Sequence, residues 1–269
     1  MYEEPYKWVE AVGNRRQYLD EQFKQGSPVV ALAYDAGILL VSVSKGTPKL
    51  YEIYDRLALG GMGHPADLEK LRFNLLEMAH VEGFNRSPSD VTGGRMVKYG
   101  IAPVIKQAFE EVFKAPFIVK LLLAELGHKA GKDSFLVINY DGTFEEGSSC
   151  AVLAASKSVE QGMVAYVRRE APAVPSLEQA FSIALRTWAL GDRLQRKAAE
   201  ESSEGNPAAG TPEDTEAVSL FAHLRDRVAE KTVECALLDR HLSGSSKYRA
   251  LASDEIGRLL PKDLKITLS

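Results

Sequence analysis

The sequence predicts an α+β fold, a four-layer αββα sandwich in which two sheets face each other between outer layers of helices. Two apolar runs near the N-terminus, 29–33 and 38–43, show little polar alternation, so strands built from them need cover on both faces. The rest of the chain reads as strands, two helices, strands, two helices, strands. That order buries two sheets against each other and lays a helix pair on each outside face. With 269 residues, 45% hydrophobic and 26% charged, the composition suits one globular core, so a single domain over 1–269 is expected.

Residues 5–25 place Trp8, Val9, Val12, Tyr18, Leu19 and Phe23 at roughly helical spacing, with Gly26 as a stop, so an amphipathic helix precedes the first strand. Tyr34-Asp35-Ala36-Gly37 between the two apolar runs reads as a hairpin turn, with Gly37 free to take a positive φ. The runs 50–54 and 57–61 are expected to extend the same sheet. Gly60-Gly61-Met62-Gly63 lacks the Gly-Lys-Ser/Thr ending of a phosphate loop and reads as turn chemistry before a helix. Pro65 opens that helix, Leu68, Leu71, Leu75, Leu76 and Ala79 form its apolar face, and Gly83 is its expected stop.

A second helix from about residue 89 carries Met96, Val97, Ile101, Ile105 and Val112 and is kinked or broken at Pro103. Runs at 117–126, 135–139 and 151–155, with a turn at 140–142, are assigned to a second sheet. Helices at 159–168 and 176–196 follow, and Ser176 with Gln179 has capping-box spacing. The polar, Gly/Pro-rich stretch 200–215 holds too few apolar residues to bury and is expected to be a mobile inserted loop. A helix at 216–231, strands at 233–238 and 248–251, and a short helix at 253–260 close the chain.

Several function classes are excluded at this level. A net charge of minus 4 offers no basic stripe for phosphates, which argues against nucleic acid. No apolar run approaches the ~18 residues of a membrane helix. The acidic start, Met1-Tyr2-Glu3-Glu4-Pro5, has no apolar signal core and points to the cytoplasm. Cys150 and Cys235 lie in apolar strand-like runs and read as buried free thiols. The five histidines show no ligand spacing, so no metal site and no cofactor is expected.

Ser27-Pro28-Val29-Val30-Ala31-Leu32-Ala33-Tyr34, the stretch from Lys49-Leu50 through Glu52-Ile53-Tyr54-Asp55-Arg56, and the glycines from Gly60 to Gly63 resemble the first strands of a proteasome α-type subunit. Ser89-Asp90-Val91-Thr92-Gly93, Asn139-Tyr140-Asp141-Gly142 and a last strand at 233–239 keep the family's order along nearly the whole chain. The similarity is to α-type subunits of actinobacterial core particles. It implies the N-terminal nucleophile hydrolase fold and an outer ring of about seven copies, closed by contacts between neighbouring alpha subunits. It also implies a non-catalytic part in a threonine-type endopeptidase: capping the beta subunit ring, gating substrate entry, and docking ATPase unfoldases or other activators through their C-termini. The segment before the first helix would be the gate, here Met1, Tyr2, Glu3, Glu4, Pro5 and Tyr6, without the Tyr-Asp-Arg motif of archaeal and eukaryotic α subunits.

The fold also suggests a competing reading, in which cleavage at Gly26-Ser27 frees Ser27 as a nucleophile with its own α-amine as base. Proteolytic β subunits add an Asp at the end of the second strand and a Lys in the third. Alignment of the hairpins puts Val43 and Ile53 there, and neither carries charge or a proton. The residue singled out for binding is Lys49. A lysine at a strand start is commonly just solvated. In the family, the lysine of this Lys-Leu-x-Glu-Ile motif lines a pocket between α subunits and pairs with an activator's terminal carboxylate.

Overall fold

A computed structural model describes residues 5–111, 113–204, 216–228 and 231–260. After helix α1 (Pro5–Phe23) come strands β1 (Val29–Tyr34), β2 (Gly37–Ser44), β3 (Leu50–Tyr54) and β4 (Leu57–Gly63), then α2 (Pro65–Asn85). A 3-10 turn (Pro88–Asp90), a short α3 (Gly93–Arg95), a π-helical stretch (Met96–Ile101) and α4 (Ala102–Glu110) follow. The second half holds β5 (Val119–Glu125), β6 (Ser134–Ile138), β7 (Phe144–Gly147), β8 (Cys150–Leu153), α5 (Lys157–Glu170), α6 (Leu177–Glu204), α7 (Glu216–Val228), β9 (Thr232–Asp239), β10 (Tyr248–Ala250) and α8 (Ser253–Leu259).

Two five-stranded antiparallel sheets result, ordered β10-β9-β2-β1-β8 and β3-β4-β5-β6-β7. Alternation along each strand fills three apolar layers. On β1 and β2, Val30, Leu32, Leu39, Val41 and Val43 face α5 and α6, whereas Val29, Ala31, Ile38 and Leu40 face Ala58, Leu122 and Ala124 of the other sheet. Leu57, Leu59, Leu121 and Leu123 turn outward onto Leu68, Leu71 and Leu75 of α2. Both faces of the strands are therefore apolar, as their unbroken hydrophobic runs require. Leu19 and Phe23 of α1 are fully buried in the middle layer and close one end of the sandwich. Arg15 ties this helix down by donating to the carbonyls of Ala108, Phe109 and Glu111 at the end of α4.

The four layers match the expectation, but the allocation of strands does not. β3 and β4 lie opposite the β1–β2 hairpin, because β2 pairs along its whole length with β9 and β1 pairs with β8, which leaves no edge for them. The 151–155 run, read as part of the second sheet, supplies β8 to the first. β7, with Phe144 as its one large apolar residue, carries no hydrophobic run that would announce it.

Local chemistry departs from expectation at the glycines. Gly37 does not take a positive φ. It is needed because a Cβ there would overlap the Leu238 carbonyl oxygen of β9. Gly60 and Gly61 are strand residues against Val29 and Leu68, and Gly63 alone of that group has a positive φ, 136°. Gly83 does not stop α2, which runs on to Asn85; it admits the Tyr54 hydroxyl. The break near Pro103 is present as the π-helical stretch just before α4. Residues 200–204, assigned to a loop, extend α6; 205–215 and Val112 lie outside the described residues.

The capping box that opens α6 is formed: Gln179 N donates to Ser176 Oγ at 3.3 Å and Ser176 N donates to Gln179 Oε1 at 3.0 Å. Ser176→Ala is expected to cost about 1 kcal/mol, read as a lower urea midpoint with unchanged slope. Among the described residues no helix is long and apolar enough to cross a membrane, and no group of three metal-ligating side chains converges.

Candidate functional site

The start of β1, the end of β2, the strand β9 and helix α6 meet around Ser27. Its hydroxyl donates to the Val43 carbonyl at 2.5 Å and accepts from Trp188 Nε1 at 3.1 Å. Both roles of the hydroxyl are thus taken. The preceding carbonyl, Gly26 O, accepts from Gln195 Nε2 at 2.8 Å, and Gln195 Oε1 in turn accepts from Ala155 N at 2.8 Å. The Gly26–Ser27 junction is therefore held by hydrogen bonds from both residues, between the buried end of α1 and β1. Val43 contributes only its backbone here, its side chain facing the outer helices. Ile53 packs in the layer against α2, so it is not the third-strand neighbour of Ser27.

That place is taken by Lys49, which the sequence put at a separate site. Its Nζ lies 3.5 Å from Ser27 O, its backbone N–H donates to Glu234 Oε2 at 2.8 Å, and its carbonyl accepts from Gly61 N. A strand-start lysine is thus fixed from both sides by β4 and β9. Burial of the ammonium pulls the Lys49 pKa down to about 8; Glu234 opposes the shift and Lys231 adds to it. Lys231 stands over the Trp188 ring, 5.6 Å from its centroid, and burial followed by Arg227 lowers its pKa as well. Trp188, Lys231 and Glu234 escaped the sequence reading. The first looks like any apolar helix residue, and the other two join Lys49 only through the β2–β9 pairing.

Behind this cluster Asp192 of α6 gathers two guanidinium groups and an imidazole: Arg196 Nε at 3.1 Å, Arg227 Nε at 2.9 Å and His223 Nε2 at 2.9 Å. Burial alone would raise this carboxyl, but the hydrogen bonds from His223 and Arg227 hold it well below the usual carboxylate range. A separate cavity of about 520 Å³ opens between the ends of α1, β5, β6 and α6. On its floor, buried Lys120 donates to Ala154 O, Ala155 O and Glu160 Oε1 at 2.8, 3.2 and 3.2 Å. Its polar floor is mutually satisfied and does not present a reactive group.

No protein-family model matches the chain. Curated relatives do. A proteasome subunit alpha of Thermobifida fusca is 30% identical over 189 residues, 69% of this chain and 74% of the relative. The chain belongs to the proteasome alpha subunit family. Proteasome alpha subunits of Actinosynnema mirum, 29% identical over 80% of this chain and 76% of the relative, and of Kineococcus radiotolerans, 28% identical over 86% and 94%, extend the likeness along most of the chain. Set on this proteasome alpha fold, Ser27 lies just before β1 and Lys49 stands beside it. Of the expected gate, Met1, Tyr2, Glu3 and Glu4 lie outside the described residues, and Pro5 and Tyr6 form the first turn of α1. Cys235 is buried and Cys150 half-buried, both free, and burial raises both thiols. Such thiols are poor nucleophiles.

Proposed function

We propose that this chain is a non-catalytic alpha subunit of a cytoplasmic bacterial proteasome core particle. It forms a ring of about seven copies with neighbouring alpha subunits, caps the beta ring that carries the proteolytic sites, restricts entry through its N-terminal segment, and docks ATP-driven unfoldases at Lys49. The observation that carries this reading is the pairing of an occupied Ser27 with a held Lys49. The Ser27 hydroxyl, which the competing reading needs as nucleophile, donates to a backbone carbonyl. The lysine next to it has a backbone anchored to β4 and β9 while its ammonium makes one long contact, which leaves it able to take a carboxylate.

A second reading has one observation in its favour: a lysine of lowered pKa close to Ser27 resembles a general base. Under it the chain would be a self-processing Ser27 peptidase. Native mass spectrometry of the chain expressed with its beta partner separates the two. Full-length subunits in rings joined to the beta ring support the alpha role, and a subunit shortened to begin at Ser27 overturns it. Lys49→Ala is expected to abolish unfoldase-stimulated protein degradation and leave hydrolysis of small peptides by the core unchanged. Stimulation that survives the substitution would remove Lys49 from the docking site.

A further inference from the structure

The surroundings of Lys49 invert the charge of the molecule. The chain as a whole is acidic at minus 4, yet one end of the β2–β9 pair collects cations. Ser44 pairs with Thr232, so Lys45 and Lys231 leave the ends of the two strands side by side. Lys45 is exposed, and Lys231 lies against Trp188, whose indole N–H reaches Ser27, which in turn meets Lys49. Among the described residues none of these three lysines has an ion-pair partner. Of the acids close by, Asp192 is committed to Arg196, His223 and Arg227, whereas Glu234 gives Oε2 to the Lys49 backbone N–H, keeps a buried Oε1 without a partner, and supports the Lys49 ammonium by its charge.

We propose that Lys231 and Lys45 extend the Lys49 site into a cationic surface that selects partner tails bearing side-chain carboxylates ahead of the terminal carboxylate. The inference rests on Lys49 as the docking residue and adds the chemical class of the tail. Lys231 is the centre of the arrangement, because its ammonium stands over the Trp188 ring while Arg227 and Arg196 repel its charge. Burial lowers both ammonium groups; Lys231 adds to the shift of Lys49, and Lys45 to that of Lys231. A single terminal carboxylate satisfies one of them; a second carboxylate satisfies the other.

The test uses the assembled full-length ring and four fluorescein-labelled octapeptides followed by anisotropy. Two have a Gly/Ser body ending in Leu, with free or amidated C-terminus, and two carry two Glu in place of two Ser. In dilute buffer the acidic free-carboxylate peptide is expected to bind about fivefold tighter than its neutral counterpart. In 1 M salt, where the screening length falls to about 3 Å, that preference should vanish. Lys231→Ala and the exposed Lys45→Glu should each bring the acidic peptide toward the neutral one, while Lys231→Arg keeps the preference. A preference that persists in Lys231→Ala and Lys45→Glu, or in 1 M salt, overturns the cationic extension and leaves the Lys49 reading standing. If Lys49→Ala weakens neither free-carboxylate peptide, the docking reading itself fails.

Discussion

Lys120→Ala is expected to destabilise the chain by about 3–5 kcal/mol, the range for removing one partner of a buried ion pair. Lys120 is only 5% exposed although it is on β5, because strand alternation puts it on the inner face with Leu122 and Ala124, at the end where the two sheets separate. From there its ammonium reaches the carbonyls at the end of β8 and the Glu160 carboxylate on α5, and it stands 5.5 Å from the Phe23 ring centroid of α1. One side chain therefore joins both sheets, an outer helix and the N-terminal helix. Ala at this position strands a buried carboxylate and two carbonyls, and their lost hydrogen bonds add to the unpaired charge. Urea unfolding reads the effect as a large fall in midpoint. The double change Lys120→Met with Glu160→Leu removes both charges together and is expected to recover most of the loss, as replaced buried pairs do. A single mutant as stable as the parent would mean that the pair carries no stability.

The same residue shows why the fold was more legible than the site. Covered strands announce themselves by unbroken apolar runs, and Ser176 with Gln179 announces a helix start by local hydrogen-bonding chemistry; both expectations were met in the structure. Sheet allocation depends on which strands find an open edge. β1 and β2 find β8 and β9, more than a hundred residues later, and nothing local distinguishes that outcome from pairing with β3. The glycines failed for a related reason. Gly37 and Gly83 looked like turn and stop residues, but they answer to the Leu238 carbonyl and the Tyr54 hydroxyl, which are distant in sequence. Lys49 could be singled out because it stands in a motif. Its partners could not, since Glu234 and Lys231 reach it only through the register of β9, and Trp188 only through the packing of α6 on β1.

Docking at Lys49 should therefore depend on pH with a sign opposite to that of stability. An unfolded lysine titrates near 10.4, whereas Lys49 in the folded chain titrates at about 8. Between those values the unfolded state binds more protons, so this residue's contribution makes the folded chain more stable as pH rises through the window. Docking runs the other way, because a carboxylate needs the ammonium. Affinity for a free-carboxylate peptide should be flat below about pH 8 and fall above it, about tenfold between pH 7 and 9 as the charged fraction shrinks. The amidated peptide should bind weakly at both values and show little slope. Lys49→Arg, which keeps its charge across this range, should remove most of the fall even if guanidinium geometry lowers affinity overall. An affinity constant from pH 7 to 9 in the parent chain would show that Lys49 does not meet the carboxylate as a cation. A fall that persists unchanged in Lys49→Arg would move the titrating group to Lys231, the other ammonium of lowered pKa in the cluster.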